Sequence, residues 1–318
     1  MSIRLGANTH GKGRVRMVKV KRCPRTGAQK MMQVTVQILL EGDNMDSAFL
    51  EGDNSNVVPT DTCKNTIYCL GKKNDFDSIE QFGLIVCRHF LTEYPDIVNK
   101  VSVEISEDVW ERVVVPDSRG VMKKHAHAFK RSGPAVPFTK VSGTKRPSTQ
   151  FSFCVKSGVR DLMVMKTTQS GFVDFHKCKY TSLPSATDRI LGTSIKAEWD
   201  YDNSTWQGQN FSFTDARAAV QDSLIHTIVG PADTGVYSKS VQETLFLMGE
   251  AALNEQPEIS KIVLDMPNIH NLPFPLEKYG ITNKDHTGNP DIFYPIDEPH
   301  GMIKAEVRRA PKFKSRLY

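Results

Sequence analysis

The 318-residue sequence lacks the features of a secreted, membrane-spanning or disulfide-stabilised protein. Its six cysteines, at positions 23, 63, 69, 87, 154 and 178, neither cluster nor form a C-x-x-C pair. The first residues carry no apolar signal segment, and the apolar stretch from Val34 to Leu40 is far too short to span a bilayer. We therefore expect free thiols in a reducing compartment and no membrane partner.

Sequence motifs of the common cofactor and hydrolase classes are also missing. The chain has no dinucleotide fingerprint, no G-x-S-x-G elbow and no H-E-x-x-H zinc motif. Residues 6–13 follow the phosphate-loop pattern at first, but Gly13 stands where that loop needs Ser or Thr to bind magnesium. His125 and His127 fall on the same side of a predicted strand without a third ligand nearby, so no metal site is expected there.

The composition is that of a globular protein with a small excess of positive charge. Hydrophobic residues make up 39% and charged residues 24%, and Lys+Arg 41 against Asp+Glu 36 gives a net charge of +5. Such a charge suits an anionic small molecule as well as a phosphate backbone. A mobile basic arm through residues 14–22 is one interpretation, but nucleic-acid binding would need interleaved aromatic side chains, which this segment lacks.

Apolar periodicity divides the chain into two similar halves. Residues 32–38 alternate apolar and polar side chains, as strands do, and residues 78–94 have helical spacing that stops at Pro95. A second helix is expected to start near Thr60, where hydroxyl and carboxylate side chains can cap it. The other expected strands are 14–20, 101–105, 123–129, 149–155, 161–166, 188–199, 259–266 and 301–307, and the other helices are 214–227 and 239–253.

This repeated order predicts an α+β fold of two similar units, residues 1–140 and 141–318. Each unit is expected to be an antiparallel sheet with helices on one face. Turn-forming residues concentrate from 131–137 to 146–148, which marks the boundary. Because open sheets leave their edge strands unpaired, we also expect self-association that closes the sheets into a barrel.

Several longer motifs are distributed along nearly the whole chain. Alone, Thr60 and Asp61 would be interpreted as helix caps, and His270 as a structural histidine between prolines. The motifs are residues 10–16, 57–62, 64–68, 167–172, 180–184, 188–191, 240–242, 267–270, 288–295 and 299–304. Taken together and in this order, they resemble the urate oxidase, or uricase, family.

The resemblance implies a cofactor-free, metal-free oxidase that converts urate, O2 and water to 5-hydroxyisourate and hydrogen peroxide. This reaction is the first step from urate towards allantoin. The implied fold is two tandem tunnelling-fold (T-fold) units per chain. Chains of this family pair to close a barrel and barrels stack into a homotetramer, with each active site between two subunits.

The resemblance also implies a binding set that suits a flat purine anion. An aromatic ring stacks on a purine with about 1–3 kcal/mol. A guanidinium offers two parallel donors to an anionic edge, and a glutamine amide both donates and accepts. The implied residues are Thr60, Asp61, Phe172, Leu183, Arg189, Val241 and Gln242, with Asp61 and Val241 acting through their backbone amides and Leu183 forming an apolar wall.

The direct reaction of ground-state O2 with a closed-shell molecule is spin-restricted and therefore slow. A metal-free enzyme must first make urate a better electron donor, and removing a proton from urate does this. By resemblance, Lys12, Thr60 and His270 form the proton relay. Asn268 holds O2 and later the attacking water. Lys12 and Thr60 are expected to act on urate held by a neighbouring chain.

Other functions and the cellular location stay open at this point. A catalytically silent T-fold protein that binds purines is the main alternative, and a basic-arm nucleic-acid binder is the weaker one. Eukaryotic uricases commonly end in a peroxisomal tripeptide of the S-K-L type, whereas here Ser315, Arg316 and Leu317 are followed by Tyr318. The peroxisome is therefore expected from the family, with the cytoplasm as the alternative.

Overall fold

The computed structural model describes residues 2–146, 150–204, 206 and 211–310. The chain divides into two compact units. The first unit comprises Met1–Val159 and Asp200–Arg217, and the second comprises Arg160–Trp199 and Ala218–Tyr318. The units are discontinuous because two strands and one helix cross these limits along the chain. The halves 1–140 and 141–318 remain a prediction about the sequence repeat.

The first unit is an antiparallel sheet with helices packed against it. Its strands follow the order β1-β2-β3-β6, and β4 and β5 form a separate two-stranded hairpin. The elements are β1 (His10–Arg22), β2 (Gln29–Glu41), α1 (Asp46–Leu50), α2 (Thr60–Lys73), α3 (Ile79–Glu93), β3 (Lys100–Asp108), β4 (Trp110–Pro116), β5 (Met122–Arg131), β6 (Val136–Lys145) and the beginning of β7 (Phe151–Lys166).

Apolar alternation and helix capping explain why these segments fold as they do. Along β2, Val34, Val36, Ile38 and Leu40 are buried, and the residues between them are more exposed. Helix α3 begins where the Ser78 hydroxyl accepts a hydrogen bond from the Gln81 N–H at 3.1 Å. Helices α2 and α3 pack on β1, β3 and β6. These contacts form the hydrophobic core of the unit.

A buried charge network adds a polar contact to this core. Arg217 lies between Glu80 and Glu107, with N–O distances of 3.2 and 3.3 Å, and Glu80 is 0% exposed. The Ser157 hydroxyl donates to the same Glu80 carboxylate at 2.5 Å. Burial raises the pKa of Glu107, against the charge of Arg217. Removing Arg217 would leave the buried Glu80 and the partly buried Glu107 without their cation, which is strongly destabilising.

The second unit repeats the arrangement of helix on antiparallel sheet. Strand β8 is adjacent to β9 and β10, β10 pairs with β11, and β9 pairs with β12. Helix α5 packs on β9 and β12. The elements are β8 (Leu191–Tyr201), α4 (Phe213–Val229), α5 (Val241–Glu255), β9 (Ile259–Asp265), β10 (Asn268–Pro273), a 3₁₀ turn (Leu276–Tyr279), β11 (Phe293–Gly301) and β12 (Lys304–Arg308).

One glycine in each unit allows a helix to approach its sheet closely. A Cβ on Gly83 of α3 would lie 2.6 Å from Cγ2 of Val141, and a Cβ on Gly249 of α5 would lie 2.6 Å from Cγ2 of Val307. Neither position has room for a side chain. The same helix–valine contact therefore occurs in both units, in agreement with the repeat seen in the sequence.

The α+β class with antiparallel sheets is confirmed, and some element limits differ from the prediction. The strands expected at 149–155 and 161–166 belong to the single strand β7, although residue 149 itself lies outside the described residues. Strand β6 occupies most of the segment predicted as a turn-rich boundary. The sequence did not predict this strand because the consecutive residues Pro137 to Thr139 are all buried, so apolar and polar side chains do not alternate along it. No helix in the described part of the chain has both the length and the apolar character of a membrane span.

Candidate active site

The predicted lysine, Lys12, lies at an irregularity of β1. It is half-buried and pairs in register with Ile38, and the register shifts between Lys12 and Val15. Arg14, inside this bulge, has a φ of 57°, which is the left-handed conformation. Gly11, the residue before the lysine, lies directly against the β2 backbone. A Cβ at this position would overlap the Ile38 carbonyl oxygen. The backbone before Lys12 is thus tightly packed, and the bulge follows it.

The start of α2 carries Thr60 and Asp61, and Asp61 lies within the electrostatic reach of Lys12. The residue that caps α2 is Pro59, which has neither an N–H group nor a capping side chain. The cap position thus leaves the amides at the start of α2 without a side-chain acceptor, so these amides can bind an anion, and the half-buried Thr60 begins the same turn. The His10 ring donates from Nε2 to the Val58 carbonyl at 3.0 Å. This bond ties the loop before α2 to β1, the strand that carries Lys12.

The Asp61 carboxylate is engaged within its own helix. It accepts from Lys64 Nζ at 2.5 Å and from Asn65 Nδ2 at 2.7 Å, and these bonds, with a smaller effect of Lys12, lower the pKa of Asp61. The carboxylate is thus ionised and already hydrogen-bonded. What Asp61 can still offer a ligand is its backbone amide. Burial raises the pKa of the nearby Cys63 thiol to about 11, and the positive charge of Lys12 acts against this rise.

In the second unit, Phe172 and Arg189 lie against each other. The guanidinium carbon of Arg189 is 5.4 Å from the centre of the Phe172 ring. Phe172 also stacks on Phe175, with centroids 4.9 Å apart and planes inclined by 7°. Its backbone pairs with Ala186, through N–H···O bonds of 2.7 and 3.0 Å. The loop that carries Phe172 is therefore held to the segment that leads to Arg189.

Arg189 is a half-buried cation, and one of its donor atoms is buried. Its Nε is buried and has no hydrogen-bond partner in the described part of the chain. Burial lowers the pKa of Arg189, and Tyr237 acts in the opposite direction. A buried guanidinium donor without a partner is costly unless a ligand accepts from it. Beside an aromatic ring, this arrangement suits a flat anion.

The start of α5 presents Val241 and Gln242. Ser240 caps this helix by accepting from the Glu243 N–H at 3.1 Å. Val241 is buried, whereas the Gln242 side chain is exposed and can reach a ligand. The backbone around Ser238, just before this start, bonds to the loop that carries Phe172, because the Gly171 N–H donates to the Ser238 carbonyl at 2.9 Å.

Asn268 and His270 lie on β10, both half-buried. Asn268 pairs with Thr193 of β8 and with Gly301 of β11. Burial lowers the pKa of His270, and the positive charges of Arg189 and His300 lower it further. The imidazole therefore stays neutral to more acidic pH than an ordinary histidine, as a proton acceptor requires.

The structure sorts the predicted site residues into two groups, one in each compact unit. Lys12, Thr60 and Asp61 lie in the first unit. Leu183 is in the second unit but is 51% exposed, on the loop between Phe172 and Arg189. The remaining members of the second-unit group are Phe172, Arg189, Val241, Gln242, Asn268 and His270.

Four residues near these groups were not singled out from the sequence. His10 supports the loop before Thr60, and Asp188 accepts from the Thr168 hydroxyl and the Gln169 N–H, at 2.7 and 2.8 Å. Tyr237 and Lys166 contact the segments around Phe172 and Val241. Each of these four residues bonds to a residue that is distant in the sequence, so no local pattern indicates its role. The sequence places only Asp188 and His10 next to predicted site motifs, beside Arg189 and beside Gly11–Lys12.

Two other sequence features lie away from these groups. The strand expected at residues 14–20 is confirmed as part of β1, and the alternative interpretation of this segment as a mobile basic arm is wrong. Lys19 of β1 donates to the Gly71 and Asn74 carbonyls, at 2.6 and 2.7 Å. His125 lies on β5 and uses Nδ1 to accept from the backbone N–H of His127 and Ala128. A groove of about 770 Å³ beside α3 contains none of the predicted site residues.

Comparison with known proteins decides the family. The family model for uricase matches residues 8–142 and 155–304 of the chain. The chain belongs to the uricase family. Uricase-2 isozyme 2 of Glycine max is 39% identical over 307 residues, covering 94% of each chain. The uricase of Dictyostelium discoideum is 35% identical over 303 residues, covering 95% of this chain and 96% of that one.

The solved structures agree with this assignment. The crystal structure of uricase from Arthrobacter globiformis is 30% identical, covers 98% of this chain and 96% of its own, and has a TM-score of 0.84. The uricase match includes all of the candidate site residues. The family resemblance and the uricase fold expected from the sequence are therefore confirmed.

Proposed function

We propose that this chain oxidises urate with O2 and water to 5-hydroxyisourate and hydrogen peroxide. Membership of the uricase family supports this reaction, and the comparisons give no support to a catalytically silent purine-binding protein. The observation that carries the proposal is the pair of Phe172 and the half-buried Arg189, whose buried Nε has no hydrogen-bond partner among the described residues. A flat anion with acceptor atoms along its edge satisfies both.

Urate binds on the second-unit group. Its ring stacks on Phe172, and its anionic edge accepts from Arg189 and from the backbone amide of Val241. The Gln242 amide donates and accepts beside them. The open first turn of α2, with the amide of Asp61, contacts the opposite edge. Leu183 covers the apolar side of the purine.

The reaction begins with removal of a proton from urate, which makes it a better electron donor to O2. Lys12 activates the Thr60 hydroxyl, and His270 completes the relay as a neutral imidazole. The lowered pKa of His270 supports this role, because a neutral ring is present at physiological pH. Asn268 holds O2, and later water, over the ring. The residues supply proton transfer and positioning, and the proposal includes no cofactor and no metal.

The active enzyme is a homotetramer with its sites between subunits. Supporting this assembly, the predicted residues fall into two groups in separate units, so one chain can give Lys12 and Thr60 to urate held by another. Closing the sheets into a barrel would also pair their edge strands.

Analytical ultracentrifugation tests the stoichiometry. Mixing a Lys12→Met chain with an Arg189→Ala chain should restore part of the activity if sites are shared.

We place the enzyme in the peroxisome, as expected for its family, with the cytoplasm as the alternative. The segment with Ser315, Arg316, Leu317 and Tyr318 lies outside the described residues. Imaging of the chain fused at its N-terminus to a fluorescent protein, with and without Tyr318, distinguishes the two locations.

A direct assay tests the reaction. Protein treated with EDTA should consume urate and O2 together and release one equivalent of peroxide, measured with an oxygen electrode and the urate absorbance band. No turnover, with urate still bound, would support the silent purine-binding alternative instead. Activity that is lost with the chelator and returns with copper or iron would refute the cofactor-free reaction.

A further inference from the structure

Tyr237 connects three segments of the second-unit group. Its hydroxyl donates to the Thr187 carbonyl at 2.7 Å, two residues before Arg189. The next residue, Ser238, accepts the Gly171 N–H at 2.9 Å, one residue before Phe172. Tyr237 itself lies four residues before Val241, the first residue of α5. One tyrosine thus lies where the segments of the stacking ring, the guanidinium and the helix start meet.

The backbone on both sides of Tyr237 is held by Lys166. The lysine amine donates to the Val236 carbonyl and to the Ser238 hydroxyl, each at 2.8 Å. Its burial is enough to lower the pKa of Lys166. The tyrosine is therefore fixed at both neighbouring residues and at its own hydroxyl. The Tyr237 side chain is nevertheless 48% exposed, so packing alone does not fix it.

Gly171 makes room for the tyrosine ring. A Cβ at position 171 would overlap the Tyr237 hydroxyl oxygen and would lie 3.1 Å from the Ala186 carbonyl. The phenol therefore occupies the space that a side chain before Phe172 would take. Because Phe172 is the next residue, the tyrosine also limits where its ring can lie.

Tyr237 is also an electrostatic neighbour of Arg189. It is the group that opposes the effect of burial on the pKa of Arg189. Together with the Thr187 bond, this places the phenol beside the segment that presents the guanidinium. A shift of the tyrosine would move Arg189 relative to Phe172, which are 5.4 Å apart.

We propose that Tyr237, held by Lys166, is a positioning residue that sets the spacing between Phe172 and Arg189 and so determines affinity for the purine anion. The inference rests on the proposed function, because those two residues are its urate-binding pair. Tyr237 acts through them and takes no part in proton transfer. Its loss should therefore change KM and leave kcat nearly unchanged.

The first test is Tyr237→Phe, which keeps the ring and removes the bond to Thr187. We expect KM for urate to rise about three- to tenfold, as for loss of one positioning hydrogen bond, with kcat within about twofold of the unchanged chain. Tyr279→Phe is the matched control, since Tyr279 is a 68% exposed tyrosine of the same unit, stacked on Phe274. An unchanged KM in Tyr237→Phe would overturn the proposal, as would equal effects in both variants.

The second test is a double-mutant cycle between Gly171 and Tyr237. Gly171→Ala should raise KM strongly in the unchanged chain and much less in a Tyr237→Ala background, because the added methyl group then has space. Additive effects would contradict the contact on which the proposal depends. Thermal unfolding of each variant identifies a purely structural effect: a lower Tm with KM unchanged would also overturn it.

Xanthine binding separates this inference from the proposed reaction. Xanthine is a purine with a similar polar edge, and its dissociation constant can be measured by calorimetry without turnover. If the unchanged chain binds xanthine but does not oxidise urate, the proposed reaction fails. Weaker xanthine binding by Tyr237→Phe than by Tyr279→Phe would still support the positioning role, and equal binding would refute it.

Discussion

The two helix starts at the candidate site differ in how they are supported. Helix α5 begins with a serine cap, and the segment before it is held by Lys166, Tyr237 and the Gly171 amide. Helix α2 begins after Pro59 without a side-chain cap, and the His10 bond is what ties its preceding loop to β1. One start is braced on several sides, and the other leaves its amides and the Thr60 hydroxyl available.

This difference matches the work that each region is proposed to do. A binding surface for a flat anion gains affinity when its ring and its cation are fixed before the ligand arrives. A proton relay needs an accessible hydroxyl, a cation nearby and freedom for small movements of the proton donor. The braced region therefore suits recognition and the open region suits chemistry, so substitutions in the two regions should affect different kinetic constants.

The largest effect is expected in the open region. Lys12→Met and Thr60→Ala should each lower kcat by about 10²-fold or more, because positioned proton transfer contributes about 10²–10⁴-fold, while KM changes little. Steady-state urate oxidation measures both constants. Lys124→Met, at an exposed lysine of β5, is the control and should behave as the unchanged chain. A raised KM with kcat preserved would reverse the division of roles.

The braced region should respond in the opposite way. Arg189→Ala should raise KM for urate by roughly 10- to 100-fold, the scale for loss of a hydrogen bond to a charged group, with a smaller fall in kcat. Arg189→Lys should not restore affinity, because an ammonium lacks the planar two-donor geometry. Equal KM values for Arg189→Ala and the unchanged chain would remove Arg189 from the binding set.

A smaller effect is expected from the His10 bond to the loop before α2. His10→Phe keeps a ring but removes the donor to the Val58 carbonyl, so Thr60 should shift from Lys12 and kcat should fall roughly five- to tenfold. His10→Gln, which keeps a donor, should recover part of the loss. His286→Phe, at an exposed histidine of the second unit, is the control. If all three variants match the unchanged chain, the loop before α2 does not depend on this bond.

The smallest effect concerns pH. Burial and the charges of Arg189 and His300 lower the pKa of His270, so the neutral ring persists into the acidic range. Removing one of these charges should raise that pKa. We therefore expect the acid limb of the kcat/KM profile to move to higher pH in His300→Asn, but not in His286→Asn. An acid limb at the same pH in both variants would show that His270 does not control it.

Much of the fold could be predicted from local patterns. The periodicity of residues 78–94 predicted α3, and the alternation of 32–38 predicted β2, because each pattern comes from burial of one face. Strands β10 and β11 were missed. The first is short and ends at Pro273, and their pairing, His270 with Ile296, joins residues that no local pattern connects. Long-range pairing is decided by the whole sheet.

The residues of the candidate site also divide into those that the sequence indicated and those that it did not. The family motifs included Lys12, Thr60, Arg189 and His270, all of which lie in the matched region. The supporting residues left no motif of their own, because their role is a contact between distant segments. Lys166 and Ser238, for example, are 72 residues apart. Such a contact becomes visible only when the folded chain brings both segments together.

The two glycines beside Lys12 should differ sharply in what they tolerate during directed evolution. At Gly11 the Ile38 backbone leaves no space for a Cβ, whereas a Cβ at Gly13 would meet only the flexible end of Gln37, at an ordinary 3.7 Å. In a library that randomises positions 11 to 13, active clones should retain glycine and lysine at the first two positions and vary at the third. Sequencing of that pool would therefore map the β1 bulge without a crystal.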